Sequence, residues 1–284
     1  MSDSNNKFAV MTTVRNDSFF LPKWIQYYGD IFGYKNLFVI LDGHDQALPS
    51  CPNVAEVNFI RLPNKSSERT QGDRRRARVM SHFAHGLFLL FDSVLAMDVD
   101  EFLVVDPLVG QTLSEYLESK QGKHATLSGL GLDVGQHMTK EGDIDLTKPF
   151  LSQRSYANIN SRYTKPIVAY RPVTWGSGMH RVKGKNYHID ENLYLFHFGM
   201  LDYQTFIKQQ GSKDLLKQGW EGHIKRRGKL FDLITDAEAL DWNKIIPVAR
   251  RDHQRRRHIF GWNKPSLLVK TEVVKIPTRF NHIV

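Results

Sequence analysis

Ser93-Val94-Leu95-Ala96-Met97-Asp98-Val99-Asp100-Glu101-Phe102 is an apolar run that breaks abruptly into three acids. In an extended chain residues i and i+2 point to the same side, so Asp98 and Asp100 are expected to converge while Val99 faces the packing of a sheet. Two close carboxylates repel unless a cation lies between them. A hard divalent ion such as Mg²⁺ or Mn²⁺ takes oxygen ligands and commonly bridges to substrate phosphates. Glu101 points to the opposite side from Asp100, and is expected to pair with a basic residue.

Outward from this run, the first half of the chain alternates strands and helices. Phe8–Val14 and Leu37–Leu41 are apolar runs that read as strands, the second one buried on both faces and ending in the turn signal Asp42-Gly43. Val54–Leu62 reads as a third strand. Phe19–Ile31 carries Leu21, Trp24, Ile25 and Tyr28 at helical spacing, and Asp73–Leu90 carries Ala77, Met80, Ala84, Leu87 and Phe88 on one stripe. Thr112-Leu113-Ser114-Glu115 is a capping box opening a helix to about Gln121. Strands separated by such helices predict an α/β fold with a mixed, mostly parallel sheet flanked by helices. Ligands of such sheets bind where the carboxyl ends of the strands converge. Asn16-Asp17, Asp42 and Asp98-Val99-Asp100 all fall at such ends. Gly131–Phe150 reads as a long loop, Lys165–Tyr170 and Leu193–Phe198 as strands, and Asp202–Gln210 as a helix ending at Gly211.

Composition narrows the function classes. Of 284 residues, 41% are hydrophobic and 17 Phe, 10 Tyr and 5 Trp can build a large core, so disorder throughout is excluded. A single cysteine, Cys51, excludes a disulfide-stapled scaffold and points to a reducing compartment. The apolar run Leu87–Phe91 is far short of the roughly 18 residues of a membrane span. The opening Met1–Lys7 is polar, and the expected location is the cytoplasm. The net charge is +9. Residues 1–180 hold 19 basic and 19 acidic groups, and residues 181–284 hold 20 and 11, so the excess is confined to the later part. We expect one domain over residues 1–210 with a basic, mainly helical extension over 211–284.

Leu95–Phe102 resembles the Asp-X-Asp segment of GT-A glycosyltransferases, and is closest to relatives of families 2 and 92 that read Asp-X-Asp-Glu-Phe. Thr13-Val14-Arg15-Asn16-Asp17, then Leu21-Pro22-Lys23-Trp24 and Tyr27-Tyr28, is similar to the opening of those enzymes, with Asp17 and Lys23 in place of Glu and Tyr28 in place of His. Phe38–Asp42, Lys165–Val168, Gly178-Met179-His180 and Phe196-His197-Phe198 resemble further blocks in the family's order, so the resemblance covers about residues 8–210. It implies a GT-A-like, Rossmann-type nucleotide-sugar and metal-binding domain. It also implies transfer of a sugar from a nucleotide sugar, most readily a UDP-sugar, to a hydroxyl acceptor, as in surface polysaccharide or glycolipid synthesis. Carried onto this chain, Asp98, Asp100 and His197 would hold the metal, with Asp98 also near the ribose. Thr13, Arg15, Asn16, Asp42, Arg74 and Lys165 would contact the nucleotide sugar, Asp42 through a uracil-like base. His197 tilts the ion towards Mn²⁺ over Mg²⁺. Taken alone, His197 in its aromatic run reads as a packed strand histidine, and Asp42 equally as a turn residue. Asp133 and Glu191 adjoin the expected site strands and are candidate general bases.

Arg74, Arg75, Arg76 and Arg78 cluster near the start of the long helix, where anions are favoured. Lys225-Arg226-Arg227, Arg250-Arg251 and Arg255-Arg256-Arg257 lie among Trp242, Phe260 and Trp262. Such groups serve a carbohydrate or glycolipid acceptor, an anionic one included, or a peripheral contact with the inner face of a membrane. Nothing matches a nucleic-acid-binding motif, so nucleic acid ranks last. The alternatives are a metal-dependent nucleotidyltransferase, which uses the same carboxylates, and a non-enzymatic basic binding protein for nucleic acid or a membrane surface.

Overall fold

β1 (Phe8–Val14) is buried along its whole length, and its alternating side chains serve two separate clusters. Phe8, Val10 and Val14 pack with α1 (Leu21–Phe32) on one face, and Ala9 and Met11 pack with α2 (Arg69–Leu87) on the other. A strand covered on both faces must be apolar throughout, which explains the unbroken run. The stripe Ala77, Met80, Ala84, Leu87 is the buried face of α2, while Leu89 and Leu90 just beyond it are exposed. β2 (Leu37–Asp42) lies parallel to β1, β3 (Asn58–Leu62) parallel to β2, and β4 (Ser93–Ala96) parallel to β1 on its other side. The structure, a computed structural model, describes residues 7–64, 69–184, 188–210, 221–255, 262–263 and 271–284.

The order β3-β2-β1-β4 means that successive connections run outward in one direction up to β3 and then cross back to the far side of β1. The topological switch point therefore lies between the carboxyl ends of β1 and β4, the usual ligand position in such sheets.

The remaining strands extend this parallel half into a larger mixed sheet. β5 (Glu101–Val105) pairs antiparallel with the long β10 (Ile189–Met200), which runs parallel to β6 (Thr126–Gly135). β7 (Tyr156–Ile159) is antiparallel to β6, and the short β8 (Val168–Ala169) is antiparallel to both β4 and β6. α3 (Leu113–Ser119) opens on the expected capping box: the Thr112 hydroxyl accepts from the Glu115 N–H, and the Glu115 carboxylate accepts from the Thr112 N–H.

Two expectations are corrected. The loop expected over Gly131–Phe150 begins later, at residue 136, because β6 continues to Gly135 with Leu132 and Val134 fully buried. Its glycines hid the strand. Gly131 is needed because a Cβ there would lie 2.3–2.5 Å from backbone atoms of Asn160, Tyr163 and Thr164. The strand expected over Lys165–Tyr170 is reduced to Val168–Ala169, because Lys165 and Pro166 form a loop that reaches the site below.

β9 (Val182–Lys183) and β11 (Trp262–Asn263) pair antiparallel in a separate two-stranded sheet. After β10 come α4 (Tyr203–Gln210), α5 (Glu221–Asp236) and α6 (Trp242–Arg255), and β12 (Val273–Lys275) closes the sheet on β7. Phe231 and Ile234 of α5 pack with Met200, Phe206 and Val273. Some of the basic groups are used in this packing. The Arg250 guanidinium lies 4.5 Å from the centre of the Tyr194 ring and donates to the Leu193 carbonyl. Arg279 grips Asp106 with two hydrogen bonds of 2.8 Å. Arg251 is exposed. Arg256, Arg257 and Phe260, with Gly211 and the side chains of Lys225, Arg226, Arg227, Arg255 and Trp262, lie outside the described residues. No helix among the described residues is long and apolar enough to cross a membrane.

Candidate functional site

The carboxyl ends of β1, β2 and β4 deliver Arg15-Asn16-Asp17, Asp42 and Asp98-Val99-Asp100 to one edge of the parallel half. The acidic triplet itself is not part of a strand. It forms the turn between β4 and β5, closed by the Glu101 N–H donating to the Asp98 carbonyl at 3.2 Å. The i, i+2 strand argument therefore does not apply, and the two carboxylates are sent to different partners.

Asp98 faces cations. Its Oδ2 accepts from Lys165 Nζ at 2.7 Å, and its Oδ1 lies 3.6 Å from an Arg76 nitrogen. Lys165 is 1% exposed and also reaches Glu101 Oε1 at 2.5 Å. Glu101 is the expected partner of a basic residue, and its other oxygen accepts the Asp98 N–H at 3.1 Å. Lys165, Asp98, Glu101 and Arg76 thus form a buried ionic knot under the turn.

Asp100 faces His197 instead, with Oδ2 3.2 Å from Nε2. His197 is 4% exposed, and its Nδ1 lies 2.7 Å from Asp133 Oδ1. The sheet register explains the placement. His197 of β10 is paired with Glu101 of β5 and with Asp133 of β6, and Asp133 is paired with Asn158 of β7. Paired residues share a face, so one polar row crosses four strands, while Phe102, Phe196 and Phe198 belong to the apolar core. The Tyr163 ring stacks on the imidazole, 3.7 Å between centres and 14° from parallel.

The electrostatics follow from this wiring. Burial opposes charge on His197, but Asp100 and Asp133 outweigh it and raise its pKa to about 9. Burial raises Glu101 to about 7, against the pull of Lys165. Burial would lift Asp98 too, yet Lys165 and Arg76 hold it below the ordinary carboxylate value. Lys165 is driven up by Asp98 and Glu101 in spite of its burial. His180 is pushed down to about 3 by burial and by Lys165. Its Nδ1 therefore carries the hydrogen and donates to the Arg162 carbonyl at 2.6 Å. The preceding Gly178 and Met179 both have left-handed backbones, φ 61 and 55, which turns the chain into this position.

The other predicted residues are less central. Thr13 is buried in β1. Exposed Arg15 forks onto Asp45 at 2.5 and 2.8 Å and donates to the Asp42 carbonyl, so it ties the β1 and β2 loops together. The exposed Asn16, at φ 51, donates its N–H to Gln46. Asp42 ends β2 at the same edge, half-buried. Arg74 is exposed, and Arg76, two residues on, is the arginine that meets Asp98. Glu191 is exposed and sits six residues before His197 along β10, about 20 Å away at strand rise. It is not brought to the cluster. Asp133 is, but bound to His197.

Three contributors were not assigned to the site from the sequence. Asp17 closes the turn that leads into α1 by accepting the Phe19 and Phe20 N–H groups, and its pKa is raised by burial and, among lesser causes, by Asp100. Arg76 was hidden in a run of similar arginines. Tyr163 carried no signal at all, since a loop places it.

Among the described residues no group of three or more His, Cys, Asp or Glu side chains is arranged to hold a metal ion. A narrower fit exists. Asp100 Oδ2 and His197 Nε2 face each other at 3.2 Å, close to the spacing of two adjacent ligands each about 2.1 Å from one ion. An ion there would displace the Nε2 proton, and phosphate oxygens of a ligand would complete its shell. Asp98 is instead committed to Lys165. No protein-family model matches this chain and no curated protein matches it.

Proposed function

We propose that this chain is a GT-A-type glycosyltransferase that moves a sugar from a nucleoside-diphosphate sugar, UDP-linked by preference, to a hydroxyl acceptor. The observation that carries it is the meeting of the Asp98–Asp100 turn with His197, Lys165 and Arg76 beside the β1/β4 switch point. One side of that site is a carboxylate–imidazole pair suited to a divalent ion. The other is a set of fixed cations. Both match a diphosphate, which needs charge neutralised where it leaves.

In this reading Asp100 and His197 hold Mn²⁺ or Mg²⁺. The ion, when bound, stabilises the leaving diphosphate as the sugar–phosphate bond breaks. Arg76 meets the diphosphate from α2 while Lys165 keeps Asp98 ionised and in place. Asp42 and Asn16 border the nucleoside end of the site. Asp133 is engaged with His197 and Glu191 is remote, so neither is assigned as general base.

Mass analysis of products from a panel of nucleotide sugars and hydroxyl acceptors with Mn²⁺ tests the proposal. Thermal-shift measurements with nucleotides, with and without Mn²⁺, accompany it. Stabilisation by UDP that requires Mn²⁺, together with a glycosylated product, is expected. Pyrophosphate release with a nucleotidylated product, or metal-independent stabilisation by an oligonucleotide, would overturn it.

A further inference from the structure

Asp133 lacks the freedom a general base needs, and its position indicates a different task. It lies on β6, 8% exposed, in register with His197 on the adjacent parallel strand. Its Oδ1 is 2.7 Å from His197 Nδ1, on the side of the ring away from Asp100. Tyr163 covers a face of the same ring. A break in the β10–β6 pairing follows between His197 and Met200, where the register shifts by one residue before Met200 pairs with Gly135. Breaks of this kind recur next to functional sites, where they re-aim side chains.

We propose that Asp133 is a positioning residue: it fixes the ring orientation and tautomer of His197 so that Nε2 is presented, together with Asp100, to a divalent cation. This rests on the metal-dependent function proposed above and deepens it. With Nδ1–H held by a carboxylate, the lone pair available for an ion is the one on Nε2. The same contact makes the imidazole a stronger donor. Glu101, the register partner of His197 on its other side, cannot serve in the same way because it is bound to Lys165.

The experiment is calorimetric titration of the full chain with Mn²⁺, alone and with excess UDP, for wild type, Asp133→Ala, Asp133→Asn, Asp100→Asn and His197→Ala. Pulsed EPR of bound Mn²⁺ reads the imidazole nitrogen coupling, which a loss of general stability would not remove. Asp133→Ala is expected to weaken Mn²⁺ binding about 10- to 100-fold, the usual effect of deleting a ligand's carboxylate partner. Asp133→Asn keeps volume and an acceptor but not charge, and is expected to bind more weakly than wild type, with a diminished nitrogen coupling. If Asp133→Ala does not fold, the Asn variant decides. Wild-type affinity and coupling in a folded Asp133 variant, with Asp100→Asn and His197→Ala blind to Mn²⁺, overturn the role of Asp133 and leave the metal site intact. Absence of Mn²⁺ binding by wild type, or unchanged binding by Asp100→Asn, overturns both.

Discussion

Lys165→Met puts the ionic knot under direct strain. Methionine matches the lysine stem without its charge. It leaves Asp98 with Arg76 at 3.6 Å, and leaves the fully buried Glu101 with the Asp98 N–H at 3.1 Å. Removing one member of a buried ion pair costs about 3–5 kcal/mol, because the remaining charge is uncompensated. Glu101 can escape by binding a proton. Burial already lifts its pKa to about 7 while Lys165 pulls it down, so without Lys165 it stays protonated to higher pH. Wild type already holds that proton up to about pH 7, so the variant's extra cost begins there and grows by about 1.4 kcal/mol for each further pH unit. A carboxyl whose folded pKa is raised contributes stability below its unfolded pKa and loses it as pH rises through the folded value. The variant is therefore hurt most at alkaline pH. Urea unfolding followed by fluorescence of the 5 tryptophans measures this. We expect a loss about 1–2 kcal/mol larger at pH 8 than at pH 5.5, with most of that difference removed by adding Glu101→Gln. A loss that is the same at both pH values, or a double variant no more stable than Lys165→Met, refutes the argument.

His197→Ala should flatten the alkaline part of the pH–stability curve. A histidine raised from 6.5 to about 9 contributes stability that is complete below pH 6.5 and lost as pH rises through about 9. The contribution is up to about 3 kcal/mol, and equal slopes for variant and wild type in urea titrations would refute it. Gly131→Ala should cost about 1–3 kcal/mol and reduce the UDP–Mn²⁺ thermal shift, because its Cβ would press on the backbone of the loop carrying Tyr163 and Lys165. An unchanged melting temperature and thermal shift would contradict that. Arg76→Ala should weaken UDP binding about 10- to 100-fold, the range for a lost charge-assisted hydrogen bond, while Arg74→Ala, exposed and away from Asp98, should have little effect. Equal losses in calorimetry would remove Arg76 from the site.

Much of the fold was legible because one-dimensional patterns carry it. The unbroken run of β1, the α2 stripe and the Thr112–Glu115 capping box each depend on neighbours within one turn or one pleat. Legibility failed where a distant partner decides the local structure. β6 looked like loop because Gly129, Gly131 and Gly135 interrupt its apolar alternation, yet those glycines admit the backbone of β10, the backbone of the 160–164 loop and side chains of α5.

The site divides in the same way. Sequence alone determined which strand ends carry acids, and so where the site would lie, because parallel strands separated by helices must bring their carboxyl ends to one edge. The convergence of Asp98 and Asp100 on one cation, expected from strand spacing, failed because the triplet is a turn and not a strand. Only the tertiary structure decided which partner each receives: Lys165, Arg76 and His197 arrive from a loop, a helix and a strand far along the chain. It also turned Asp133 from a candidate base into a brace for His197, through the parallel pairing of β6 with β10. Strand order and register are set by how whole faces bury together, and no local spacing in the chain records them.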